Sequence, residues 1–157
     1  MTEREKMLAG LLYNCGDPEL LAQWHRAKDL IRDYNRTDSA DIPEKDRILT
    51  ELLGGRGKDL WITPPFFVDY GSNIYFGDRC EVNMNCVFLD DNVIRVGHNA
   101  LIAPSVQIYT AFHPANAARR FGPPGGTAPL PSARPRPPRS SLGTTSGLAA
   151  GLSSCPA

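Results

Sequence analysis

Two stretches, Phe76–Phe88 (FGDRCEVNMNCVF) and Val96–Ile108 (VGHNALIAPSVQI), decide how this chain folds. A large apolar residue recurs at every sixth position: Phe76, Val82 and Phe88, then, after an interruption, Val96, Ile102 and Ile108. A smaller set trails four residues behind, Cys80 and Cys86, then Ala100 and Val106. That period is neither the two of a half-buried strand nor the 3.6 of a helix. Two inward candidates in six, with the repeated phase Phe-Gly-Asp, Val-Gly-His and Ile-Ala-Pro, predict short strands stacked coil upon coil in a parallel β-helix. An antiparallel sandwich would place some of these residues but not the repeated phase.

Working back, the β-rich pattern begins near Trp61-Ile62-Thr63-Pro64-Pro65. Before it, from Thr2 to about Tyr34, Met7, Leu8, Leu11, Leu12, Leu20, Leu21, Trp24, Ala27, Leu30 and Ile31 recur at helical intervals, which predicts two amphipathic helices. Gly16-Asp17-Pro18 separates them, with Asp17 placed as an N-cap and Pro18 in the first turn, where its missing N–H costs nothing. A third helix over about 43–53 is expected to close at Gly54-Gly55.

Working forward, from Gly122 the chain reads GPPGGTAPLPSARPRPPRSSLGTTSGLAAGLSSCPA, with eight of the fourteen prolines and no periodic apolar face. Such composition buries too little apolar surface to offset the entropy of ordering, so the tail is expected to be disordered. The expected organisation is a helical cap over 1–55, a partial β-helix over 56–121 and a Pro/Gly/Ser-rich tail over 122–157.

Lysine plus arginine equals aspartate plus glutamate, 17 against 17, so charge gives no reason to expect a nucleic-acid or membrane partner. No acidic residue follows Asp91, which leaves the tail basic. The charged start MTEREKMLAG lacks the apolar run of a signal peptide, and no stretch reaches the ~20 apolar residues of a membrane span. A cytoplasmic location is the expectation. Cys15, Cys80, Cys86 and Cys155 form no CxxC pair, which argues against a zinc knuckle or disulfide frame and for buried thiols.

The words MTEREKMLAG, LYNCGDPEL and RAKDLIRDYN, then PPFFVDYGSNIYFG, NMNCVFLDD, ALIAPSV and IYTAFHP, resemble the maltose and galactoside O-acetyltransferases, hexapeptide-repeat enzymes that use acetyl-CoA. The resemblance runs from Met1 to about Phe121. It implies a left-handed β-helix with an N-terminal helical cap, a homotrimer, acetyl-CoA in the cleft between neighbouring subunits, and no metal. It also implies a general base at His113, where an imidazole with an ordinary pKa of about 6.5 suits removal of a hydroxyl proton near neutral pH. By the same resemblance Asp17, Arg26, Asp69, Asn83 and Asp91 line the sugar-acceptor site, maltose- or glucose-like or galactoside. Four of the five have a plainer reading: Asp17 as a helix cap, Arg26 as a stem over apolar surface, Asn83 and Asp91 as turn formers.

Cys80 and Cys86 invite an acetyl-cysteine intermediate, but they occupy the small inward slot of consecutive hexads and are expected in the core. His98 and His113 suggest a metal-binding β-helix enzyme only with a third ligand, and His25 belongs to the cap.

The hexads that build most of the acetyl-CoA cleft in this family do not follow Phe121. One hypothesis is a frame error: shifting each codon back by one nucleotide from Pro137 to Ala157 permits TAPVVIGDDVWIGGGAVILPG, which restores hexads. The alternative is a native low-complexity tail, for which the expectation is an uncapped, marginal β-helix poor at binding CoA. On that second reading the chain is a catalytically inactive remnant with only sugar-binding or subunit-pairing capacity.

Overall fold

In the computed structural model, which describes residues 1–113 and the short strand 134–135, three helices precede three coils of parallel strands. Helices α1 (Glu3–Leu8), α2 (Pro18–Arg36) and α3 (Ile42–Leu52) come first. Strands β1 (Gly55–Arg56), β2 (Trp61–Ile62), β3 (Phe66–Val68), β4 (Ile74–Phe76), β5 (Glu81–Val82), β6 (Cys86–Leu89), β7 (Ile94–Val96), β8 (Leu101–Ile102) and β9 (Gln107–Tyr109) follow. They form three parallel sheets, β1-β4-β7, β2-β5-β8 and β3-β6-β9, the three faces of a left-handed β-helix. Strand β10 (Ala111–Phe112) pairs antiparallel with β11 (Arg134–Pro135). The rest of the expected tail lies outside the described residues. Among those described, no helix is long and apolar enough to cross a membrane.

The register explains the interruption in the hexads. Gly55 pairs with Tyr75, Ile74 with Ile94, Glu81 with Leu101 and Val87 with Gln107, so each coil advances by 20 residues. Two corners join strands at the six-residue spacing. The third, between Val68 and Phe76 and again between Phe88 and Val96, is two residues longer. All six members of the large set face inward; Phe76, Val82, Phe88, Val96 and Ile102 are buried and Ile108 packs against the same core. Cys80, Cys86 and Ala100 are buried in the small slot as expected. Phe88 meets the edge of Phe66 at 5.2 Å and stacks on Phe76 at 6.2 Å between ring centroids.

The long corner is organised by a buried carboxyl. Alternation along β6 turns Phe88 and Asp90 inward and Asp91 outward. Asp90 is fully buried. Its Oδ1 accepts from the backbone N–H of Asp69 (3.1 Å) and Tyr70 (2.8 Å), and Oδ2 from that of Asn73 (3.2 Å). Donors that the corner of one coil would leave unpaired are thereby satisfied by the next. Asn73 completes the exchange by donating Nδ2 to the Asp90 carbonyl, 2.7 Å.

The cap closes the open end of the β-helix. Asp17 caps α2 through the N–H groups of Glu19 and Leu20, and α2 buries Leu20, Ala27, Ile31 and Tyr34. Asn35 donates to the Phe66 carbonyl and accepts from its N–H, both at 2.9 Å, which is what a neighbouring strand would do. Tyr34 donates its hydroxyl to the Ile62 carbonyl at 2.6 Å. Exposed edge groups of the first coil thus receive side-chain partners.

Helix α3 ends at Leu53 with extended backbone, not with a left-handed glycine. Gly54 is needed for another reason: a Cβ there would lie 2.2 Å from the Ser72 carbonyl oxygen. The left-handed positions other than glycine are Asp59, Arg79 and Asn99 at one corner and Asn85 and Ser105 at another, repeated at the coil period.

Two outcomes follow. Phe88→Ala should lower the unfolding free energy in urea by about 3–5 kcal/mol, the usual range for an aromatic-to-alanine core change; a loss below about 1 kcal/mol would contradict the packing described. Burial raises the Asp90 carboxyl from 3.8 to about 7, against the pull of the backbone donors. The folded chain therefore binds this proton more tightly than the unfolded one, and the stability it lends is full below the unfolded value of 3.8 and lost as pH rises through about 7. The stability of the parent relative to Asp90→Asn should accordingly grow as pH falls from 7 to 4; a flat difference would show a carboxylate that does not titrate there.

Candidate active site

The long corner also carries the polar residues that the sequence singled out. Asp91 points outward beside Asp90, and its Oδ1 accepts the Tyr13 hydroxyl at 2.7 Å. Tyr13 comes from the segment between α1 and α2 and is buried with Met7, Leu20 and Tyr70 in a small second core. Leu8, Cys15, Trp24 and Ala111 pack against that core. Ala111 lies in β10, two residues before His113, so the same cluster anchors the strand that presents His113, which is exposed. Asn92 continues the corner: its N–H donates to Thr110 Oγ1 at 2.8 Å, and its Nδ2 to the Leu8 carbonyl at 3.2 Å.

Asp69 stands at the corresponding corner of the coil before. Its Oδ1 accepts from Lys28 Nζ at 3.1 Å and Trp24 Nε1 at 3.3 Å. Lys28 also donates to the Val68 carbonyl and lies 4.7 Å from the centre of the Trp24 ring. Helix α2 therefore lays a cation and an indole over this corner, both from one face four residues apart.

The electrostatics tie these groups together. Burial raises the Asp91 carboxyl from its ordinary value; the Tyr13 hydrogen bond opposes this, the Asp69 charge adds to it, and the charge of His113 opposes it. Burial, and after it the Asp91 charge, pushes the Tyr13 and Tyr70 phenols up, so both keep their protons. Asp69, Asp91 and His113 thus share one electrostatic neighbourhood.

The other expected residues have partners of their own. Asp17 caps α2, the plainer of its two readings. Arg26 pairs with Glu51 at 2.9 Å and lines a cleft of about 400 Å³ with Arg4, Gln23, Tyr70 and Ser72. Asn83 stands at the corner between β5 and β6, where its Oδ1 accepts from the Met84 N–H at 2.8 Å. That corner is not the one that carries Asp91, so a single chain does not bring the two together.

Cys80 and Cys86 donate to the carbonyls of Gly97 (3.0 Å) and Ala103 (3.3 Å) inside the core, and burial raises the Cys86 thiol, which leaves neither placed to attack a thioester. His98 Nδ1 accepts from the Asp78 N–H at 2.9 Å at yet another corner. Among the described residues no group of three His, Cys, Asp or Glu side chains could hold a metal ion. Tyr13, Trp24, Lys28 and Asp90 were not legible as site residues; Tyr13 and Asp91 are 78 positions apart, and no local pattern links them.

Residues 6–57 match the family model described as the maltose acetyltransferase hexapeptide capping motif. Nodulation protein L of Rhizobium meliloti (strain 1021) is 42% identical over 119 residues, which is 76% of this chain and 65% of the relative. A maltose O-acetyltransferase from Clostridium difficile 630 superposes with a TM-score of 0.79 at 36% identity, over 86% of this chain and 68% of that one. A galactoside acetyltransferase in complex with coenzyme A superposes with a TM-score of 0.77 at 26% identity, over 86% of this chain and 64% of that one. The chain spans about three fifths of the length of the curated relatives it matches. Because the shared stretch takes in both the helical cap and the coils it closes, the chain belongs to the hexapeptide-repeat acetyltransferases of the maltose and galactoside O-acetyltransferase type.

Proposed function

We propose that this chain transfers acetyl from acetyl-CoA to a hydroxyl of a maltose-, glucose- or galactoside-like sugar in the cytoplasm, with His113 as general base. The observation that carries the reading is the cluster around Tyr13, which holds Asp91 through the Tyr13 hydroxyl and packs Ala111, two residues before the exposed His113. The sugar oxygen attacks the thioester carbonyl carbon as the imidazole takes its proton. The tetrahedral intermediate then expels the CoA thiolate, which recovers that proton from the imidazolium. The solved relative that holds coenzyme A supports the donor.

The acceptor site uses Asp91 and Asp69 from the long corner, Asp17 and Arg26 from the cap, and Asn83 from a neighbouring subunit. Asn83 and Asp91 occupy different corners, so a site that employs both is completed by a second copy, and a homotrimer supplies it. Exposed Trp61 and Leu101 on one face, Phe67 on the next and Met84 between them offer the apolar surface for that packing.

A thiol-release assay with acetyl-CoA and maltose, glucose or methyl galactoside tests the proposal. His113→Ala should lower kcat by about 10²- to 10⁴-fold, the range expected for a lost general base. Absence of sugar-dependent CoA release from the parent, together with no retention on immobilised CoA, would instead leave a sugar-binding or subunit-pairing role.

A further inference from the structure

We infer that the Tyr13 hydroxyl is a positioning group for the acceptor: by holding Asp91 Oδ1 it presents the second carboxylate oxygen, Oδ2, to a sugar hydroxyl. The inference rests on the acetyl-transfer reading above and adds to it a residue that no motif supplied.

The geometry separates this role from that of a mere tie between cap and coil. The segment that carries Tyr13 is already fastened without it: Asn14 N–H donates to Glu3 Oε2 at 2.6 Å, and Asn92 Nδ2 donates to the Leu8 carbonyl at 3.2 Å. The Tyr13 ring is 2% exposed and wedged against Met7, Leu20 and Tyr70. A phenylalanine ring would fill the same space, so the hydroxyl is the part that the packing leaves unexplained.

What the hydroxyl does is fix a carboxylate that alternation points away from the prism. An outward aspartate turns readily about its last side-chain bond, where the torsional wells are broad. A single charge-assisted hydrogen bond of 2.7 Å removes that freedom. The donor cannot become a competing base, because burial and the adjacent carboxylate hold its proton in place. Since the same cluster packs Ala111 of β10, the carboxylate and the strand leading to His113 are set by one rigid support.

The test is a cycle of Tyr13→Phe, Asp91→Asn and the double variant, read by steady-state kinetics and by ¹³C NMR of the Asp91 carboxyl. Loss of the hydroxyl should raise the KM for the sugar by about tenfold, as expected for one hydrogen bond to a charged group, while kcat changes less. The Asp91 titration midpoint should move to higher pH, because the donor that favoured the carboxylate is gone. In the Asp91→Asn background the hydroxyl should matter little. An unmoved KM and midpoint, or an equal Tyr13 effect in both backgrounds, would overturn the inference.

The NMR readout separates the two proposals. If the parent transfers no acetyl, the catalytic reading fails, and an unmoved Asp91 midpoint would overturn the Tyr13 role independently. On the parent alone, the Tyr13 Cζ resonance should titrate with the Asp91 carboxyl; if it does not, the inference fails even where the variant does not fold.

Discussion

Everything distinctive about this fold turns on one corner that is two residues too long. A β-helix of uniform hexads would close each coil in 18 residues by the repeat alone, whereas here the register advances by 20. The extra residues bring backbone N–H groups to the inside of the prism, where no strand can accept them. Asp90 answers that demand with three backbone hydrogen bonds that link one coil to the next. Once Asp90 is committed inward, the pleat commits Asp91 to the other side, and a structural necessity places a half-buried carboxylate where the polar residues gather.

The cap is the second half of the same arrangement. Its first task is to close an open set of strands, which Asn35 and Tyr34 perform by taking the places of missing neighbours at Phe66 and Ile62. Anchored there, α2 carries Trp24 and Lys28 onto Asp69, and the preceding segment carries Tyr13 onto Asp91. Closure of the β-helix and assembly of the candidate site are therefore one packing event, and damage to the cap is felt at both.

The hexads were legible because a coil needs the same inward slots wherever it stacks, and both the large set and the Cys80, Cys86 and Ala100 set fill them. The N-cap at Asp17 was legible because it is a local rule. The long corner showed only as an interruption between Phe88 and Val96, since nothing in a run of Asp-Asp-Asn says which carboxyl turns inward. Gly54 read as a helix stop, yet its smallness answers the approach of Ser72, which sequence proximity does not reveal. Contacts between the cap and residues nearly eighty positions later had no local signal at all, and so Tyr13 stayed hidden while Arg26, paired with Glu51 on α3, stood out.

The central claim is that the long corner, with Asp91 and the strand leading to His113, is where a sugar hydroxyl meets an acetyl donor. The most direct measurement is a crystal structure of the chain grown with CoA and the sugar that gives the fastest CoA release. The account predicts sugar density at this corner, with one hydroxyl within hydrogen-bonding distance of an Asp91 oxygen and another facing the His113 imidazole. Sugar bound elsewhere, with both Asp91 and His113 unvisited, would contradict it.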